Sequence, residues 1–246
     1  MRKLLLINPN TSPSVSALLH AHALRLAGPG VQVQTVTARF GAPYIACEAS
    51  YAVAGHAVLD AWAAAIASQS TAFSAILIAC FGDPGLLALR ERSNVPVTGL
   101  AEAAFVEAAK TGRFAIVTGG ARWQPMLERL AHSLGFARQL AGIQTVQQSG
   151  AELARDPVAA QAILSKACID AARRFDAQCV ILGGAGLAGM AGLIQSAVEL
   201  PLIDSVAAGV RHALSRPPLA VDAHRGFDFQ WAHLSQELTA MGAVPP

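Results

Sequence analysis

The sequence predicts an α/β protein of two similar lobes, each a parallel four-stranded sheet flanked by helices, the lobes related by a pseudo-twofold axis. Three observations carry this. Short, wholly apolar runs such as Ala75-Ile76-Leu77-Ile78-Ala79 read as strands buried on both faces, as parallel sheets require. Each run ends in small polar or glycine residues ahead of a helical pattern, which is the alternation of βαβ units. The pattern also repeats: residues 3–10 match 113–120, residues 75–85 match 179–189, and Val95-Pro96-Val97 matches Leu200-Pro201-Leu202.

Taken in order, residues 3–7 form the first strand, followed by the polar turn Asn8-Pro9-Asn10-Thr11-Ser12 and a helix through Val15, Leu18, Leu19 and Leu26. Ser12 ahead of Pro13 is a helix start. Residues 31–37 alternate as a second strand. An irregular loop, Phe40-Gly41-Ala42-Pro43-Tyr44-Ile45, precedes a long Ala-rich helix over about 48–68. The third strand runs into Cys80 and is broken by Gly82-Asp83-Pro84-Gly85. Asp83 is expected to cap the next helix, with Pro84 at its first position. A short strand at 95–98 and a helix at 100–110 complete the series.

Residues 114–120 open the second series. A helix near 125–134, a strand region over 137–145 and a helix from Asp156 to about Phe175 follow. Residues 178–189 repeat the theme of strand, glycine turn and helix. A short strand at 200–203 and a helix at 206–214 come next. Arg216-Pro217-Pro218 breaks the chain, and a last helix is expected near 229–241. The division expected is residues 1–98 with 205–246 for the lobe carrying Cys80, and 99–204 for the lobe carrying Gly184.

Composition bounds the function. Of 246 residues, 53% are hydrophobic and 14% charged, enough for a large core and too apolar for disorder. A net charge of +2 without a basic run argues against a nucleic-acid surface. Arg2 and Lys3 precede too short an apolar run for a secretory leader, and polar residues or Pro interrupt every candidate membrane span. Cys47, Cys80, Cys168 and Cys179 form no CxxC pair, so free thiols and a cytoplasmic location are expected. No metal site is expected from the scattered histidines. Ala-rich helices allow close packing between subunits, so a homo-oligomer is expected.

Ligands of open α/β sheets bind beyond the carboxyl ends of the strands, which is where Cys80 stands. It reads either as a reactive thiol, made more acidic by a nearby helix N-terminus, or as a small buried hydrophobe. The internal match places Gly184 opposite Cys80. Two facing lobes would bring both sets of strand-end loops to one cleft, a usual seat for a small molecule.

Taken together, Ile7-Asn8-Pro9-Asn10-Thr11-Ser12, Phe40-Gly41-Ala42-Pro43-Tyr44-Ile45, Ala79-Cys80-Phe81-Gly82-Asp83-Pro84-Gly85-Leu86, Gly99-Leu100-Ala101-Glu102-Ala103, Leu182-Gly183-Gly184-Ala185-Gly186-Leu187 and Pro201-Leu202-Ile203-Asp204 resemble the Asp/Glu/hydantoin racemase family over nearly the whole chain. Within it, the pattern resembles the hydantoin and allantoin racemases. The resemblance implies a cofactor-independent isomerase in which two cysteines exchange a proton with opposite faces of a carbon beside a carbonyl. Cys80 matches the first cysteine. Where the family carries the second, this chain has Gly184, and Cys179 lies five residues back, about 16 Å along a strand.

The resemblance further implies substrate contacts at Asn10, Thr11, Ser12, Phe40, Ile45, Phe81, Thr118, Gly119, Gly120 and Ala185, with Tyr44 beside Ile45 and Phe40 in the wall of the substituent pocket. Donors to the enolate oxygen are expected from the Asn10–Ser12 turn, the Thr118–Gly120 turn and the backbone after Cys80 and Gly184. Three functional readings follow: a hydantoin-type racemase, a one-cysteine decarboxylase or isomerase, and a non-catalytic binder of a small molecule.

Overall fold

The computed structural model describes residues 2–68, 72–217 and 230–242. The first sheet holds strands β1 (Arg2–Asn8), β2 (Val31–Thr37), β3 (Ala75–Ile78) and β4 (Val97–Gly99) in the order β2-β1-β3-β4. The second holds β5 (Phe114–Gly119), β6 (Leu140–Val146), β7 (Cys179–Gly183) and β8 (Leu202–Asp204) in the order β6-β5-β7-β8. Every pairing is parallel. The helices are α1 (Pro13–Ala27), α2 (Glu48–Ala67), α3 (Leu86–Arg92), α4 (Leu100–Ala108), α5 (Trp123–Ser133), α6 (Gly150–Arg155), α7 (Pro157–Phe175), α8 (Met190–Ile194), α9 (Ser205–Ser215) and α10 (Gln236–Met241). Among the described residues, no helix is long and apolar enough to cross a membrane.

Alternation along the strands sorts the core. Leu4, Leu6 and Leu77 of the first sheet join Phe114, Ile116 and Ile181 of the second in one buried cluster with Phe105 of α4 and Val206 of α9. Leu5, Ile7, Ile76 and Ile78 turn the other way, onto α2 and α3. Ala115, Val117, Val180 and Leu182 do the same against α7 and α8. Helices α4 and α9 therefore fill the space between the sheets, with the Phe105 and Phe114 rings stacked at 5.5 Å.

Strand register carries the internal repeat atom by atom. Leu4 pairs with Ala75 as Phe114 pairs with Cys179, and Ile76 pairs with Val97 as Val180 pairs with Leu202. Carried along the chain, this equivalence takes Ala75 to Cys179 and Cys80 to Gly184.

The departures from expectation are local. Helix α6 was not expected, although Ser149 and Glu152 form a capping box at its start. The last helix begins at Gln236, and Phe229 and Pro218 lie outside the described residues. Asp83 does not cap α3, whose N-cap is Gly85, and Pro84 lies before that helix rather than within it. Asp83 instead adopts φ 52° and its carboxylate accepts the N–H groups of Ala101 (2.9 Å) and Glu102 (2.7 Å), capping α4.

Candidate active site

A cavity of about 550 Å³ opens at the carboxyl ends of both sheets, and Cys80 and Gly184 both line it. From the first lobe come Asn10, Ser12, Tyr44, Ile45, Cys80 and Phe81; from the second come Thr118, Gly119, Gly183, Gly184 and Ala185. The sequence brings the two turns together because Gly183 lacks a side chain. A Cβ there would lie 2.2 Å from the Phe81 ring, so the ring that follows Cys80 rests directly on the residue before Gly184. Residues that sequence reasoning did not place here also line the cavity, among them Ser14, Val15, Leu18, Trp123, Gly150, Arg155 and Leu187. The Ser149/Glu152 capping box was the legible signal for Gly150 and Arg155, because it starts the short helix that bears both.

Three expected contacts are not in the wall. The Phe40 ring packs edge-on against His56 at 4.9 Å. Thr11 and Gly120 also fall outside the lining, and their N–H groups donate to Ala42 O and Val146 O. Apolar walls come instead from Ile45, Val15, Leu18 and Leu187.

Some of the expected oxygen donors are already engaged within the protein and others are open. The N–H groups of Asn10 and Ser12 are held within the turn, by Asn8 Oδ1 and Asn10 Oδ1. Asn10 Oδ1 accepts both Asn8 Nδ2 (3.0 Å) and Ser12 N (2.9 Å), which fixes the carboxamide with its NH2 as the free end at the cavity wall. The Ser12 and Ser14 hydroxyls lie 3.0 Å apart beside it. Thr118 is not available as a donor, since its hydroxyl donates to Gly183 O at 2.7 Å. Among the described residues, the N–H groups of Phe81 and Ala185 have no acceptor within the protein, so they remain open to a ligand oxygen.

Cys80 is 8% exposed. Burial pushes its thiol well above the ordinary cysteine value, and the Asp83 carboxylate adds to the rise. This corrects the expectation of an acidified thiol: α3 begins only at Leu86, and the group interposed is an acid. Burial also raises Asp83, to about 7, against the opposing pull of the α4 N–H groups. Asp83→Ala should therefore expose two buried N–H donors and cost about 1–2 kcal/mol, read by urea denaturation. Because the folded-state value of Asp83 lies above the unfolded one, its contribution to stability is full below about pH 4 and is lost as pH rises through about 7. Asp83→Asn should flatten that part of the pH dependence.

Among the described residues, no group of three or more His, Cys, Asp or Glu side chains is placed to hold a metal ion. Cys179 sits at the start of β7, buried, with its thiol donating to Ala108 O at 3.6 Å, on the far end of the strand from the cavity. Asp204 caps α9 through Val206 N and Ala207 N, and Glu48 pairs with Arg129 on the surface.

Comparison with known proteins agrees with this geometry. The family model for Asp/Glu/Hydantoin racemase matches residues 4–213. Hydantoin racemase of Pseudomonas sp. (strain NS671) is 30% identical over 212 residues, covering 86% of this chain and 84% of that one. Hydantoin racemase of Paenarthrobacter aurescens is 28% identical over 229 residues, covering 93% and 96%. Among solved structures, allantoin racemase from Klebsiella pneumoniae superposes with a TM-score of 0.81 at 33% identity, over 87% of each chain. With a matched span that includes both sheets and both cavity turns, the chain belongs to the Asp/Glu/hydantoin racemase family.

Proposed function

We propose that this protein is a cofactor-independent racemase of 5-substituted hydantoins, allantoin among them, acting at the ring carbon beside the carbonyl. One observation carries the reading: the Cys80 thiol opens onto a cavity shared with the turn at Gly184, and oxygen donors on Asn10 and Ser12 line the same space. Relatives named hydantoin and allantoin racemase supply the substrate class.

In this mechanism the Cys80 thiolate takes the proton from C5. The electron pair moves into the ring, and negative charge develops on the carbonyl oxygen. The Asn10 NH2, the Ser12 hydroxyl and the N–H groups of Phe81 and Ala185 hydrogen-bond that oxygen. A proton returned on the Cys80 face restores the starting enantiomer, and one returned from the Gly184 side inverts it. The apolar wall of Ile45, Val15 and Leu187 receives the substituent.

The test is loss of optical rotation. Single enantiomers of allantoin and of a 5-alkyl hydantoin should racemise faster with enzyme than without. No acceleration with folded protein would overturn the reading. Because burial and Asp83 both hold the proton on Cys80, the thiolate fraction should rise close to tenfold per pH unit. The enzyme-dependent rate should then still be climbing at pH 9, beyond the ordinary cysteine value of about 8.5. A plateau below pH 8 would contradict this.

Gly184 itself favours a second reading, a one-cysteine decarboxylase or isomerase, because that position offers no side chain to the far face. Such an enzyme would exchange the C5 proton with retention of configuration.

A further inference from the structure

Racemisation needs a proton carrier on each face of the carbon, and Gly184 carries none. The second carrier must then be water or another group on the same side of the cavity. Besides Cys80, the described lining residues with a titratable or hydroxyl proton are Tyr44, Ser12, Ser14, Thr118 and Arg155; a guanidinium does not serve as a proton carrier, which sets Arg155 aside. Thr118 is a weaker candidate than Tyr44 on two counts: its bond to Gly183 O is short, at 2.7 Å, and an alkyl hydroxyl is a far weaker acid than a phenol. Ser12 and Ser14 stand at the start of α1, in the lobe that carries Cys80.

Tyr44 differs in where its hydroxyl ends. Its backbone belongs to the first lobe, yet its side chain crosses the cavity and the hydroxyl donates to Gly119 O at 3.3 Å, at the carboxyl end of β5. Thr118 pairs with Gly183, so Gly119 lies beside Gly184 on the neighbouring strand. Adjacent strands run about 4.8 Å apart, which sets the hydroxyl within about 8 Å of the Gly184 backbone. A group at that place lies on the Gly184 side of the cavity, the side that the internal match sets across from Cys80.

We propose that the Tyr44 hydroxyl is the second proton carrier, standing in for the missing thiol; this rests on the racemase reading above. In one direction the Cys80 thiolate takes the C5 proton, the C–H pair enters the enolate, and the Tyr44 O–H gives its proton to the opposite face of C5. Cys80 is left as thiol and Tyr44 as tyrosinate. In the other direction the tyrosinate takes the proton and the Cys80 thiol returns one. Between turnovers a proton passes through solvent from one group to the other, so nothing is consumed. Burial raises the Tyr44 hydroxyl above its ordinary value, and a charge on Cys80 raises it further, so ionising Cys80 tightens the hold of Tyr44 on its proton.

The experiment runs wild type and Tyr44→Phe in deuterium oxide with one enantiomer of a 5-alkyl hydantoin, following deuterium at C5 and optical rotation together. Wild type should give deuterium in both enantiomers. Tyr44→Phe should lose inversion by about 100-fold or more, while deuterium still enters the retained enantiomer through Cys80. A merely structural role would lower both rates together, and that result overturns the proposal, as does unchanged inversion. Melting with and without hydantoin checks the fold. As a second variant, Gly184→Cys added to Tyr44→Phe should return inversion by supplying a thiol on that face; failure in folded protein counts against the proposal. Wild type that exchanges only with retention overturns the role of Tyr44 and leaves Cys80 standing. Wild type that exchanges nothing overturns this proposal and the racemase reading together.

Discussion

Cys80→Ser is expected to slow racemisation by about 10³-fold or more, since the variant keeps the shape of the side chain but removes the only thiol in the cavity wall among the described residues. A serine hydroxyl is a far weaker acid than a thiol, so at neutral pH it offers almost no base to the C5 proton. The fold should survive. Cys80 sits at the edge of the central apolar cluster, beside the cavity, where a small hydroxyl can reach water or ligand. Polarimetry measures the rate and thermal melting the fold. A folded variant that keeps a tenth or more of the rate would remove Cys80 from the mechanism.

Gly184→Cys is expected to raise the rate of inversion by tenfold or more, on the order that a well-placed acid–base group contributes. Space is available: a Cβ at this position meets Leu187 Cγ at 3.4 Å, an ordinary contact. The backbone is the obstacle. Gly184 has φ 147° and ψ 136°, a region that suits glycine and strains any L side chain. Accommodating the substitution should cost about 1–3 kcal/mol, a drop of several degrees in Tm. Gain of inversion with a lowered Tm is the expected pair. A folded variant with no gain would mean that the space beside Gly184 does not face the reacting carbon.

Much of this was legible in the sequence because it is local. Apolar runs ending in small residues mark the strands, and the match of residues 75–85 with 179–189 is enough to set Cys80 and Gly184 opposite one another. What the sequence hid depends on distant partners. Asp83-Pro84-Gly85 reads as a helix start, but the Asp83 carboxylate is taken by N–H groups of α4, 18 and 19 residues on. The Asn10–Ser12 turn looked like a cluster of free N–H donors. The nearby Asn8 and Asn10 carboxamides and Ala42 O satisfy them, so side chains rather than those N–H groups face the cavity. Tyr44 read as a wall, because its bond to Gly119 spans 75 residues and two lobes. Phe40 read as its companion and instead covers His56.

The acidity of Cys80 could not be read from the sequence either. Proximity to a helix start argued for a thiolate, and burial beside Asp83 reverses the direction. The reversal changes how the site operates. Burial and Asp83 favour the protonated thiol, and rising pH draws out the base form.

The central question is whether the sulfur at the base of this cleft moves a carbon-bound proton. Mass spectrometry of an optically pure 5-alkyl hydantoin, incubated with the native enzyme in deuterium oxide and corrected for spontaneous exchange, reads that transfer directly. One deuterium per molecule at C5, acquired at an enzyme-dependent rate, is the predicted result. A hydantoin recovered with its hydrogen still in place, from protein that is folded and binds it, would contradict the account.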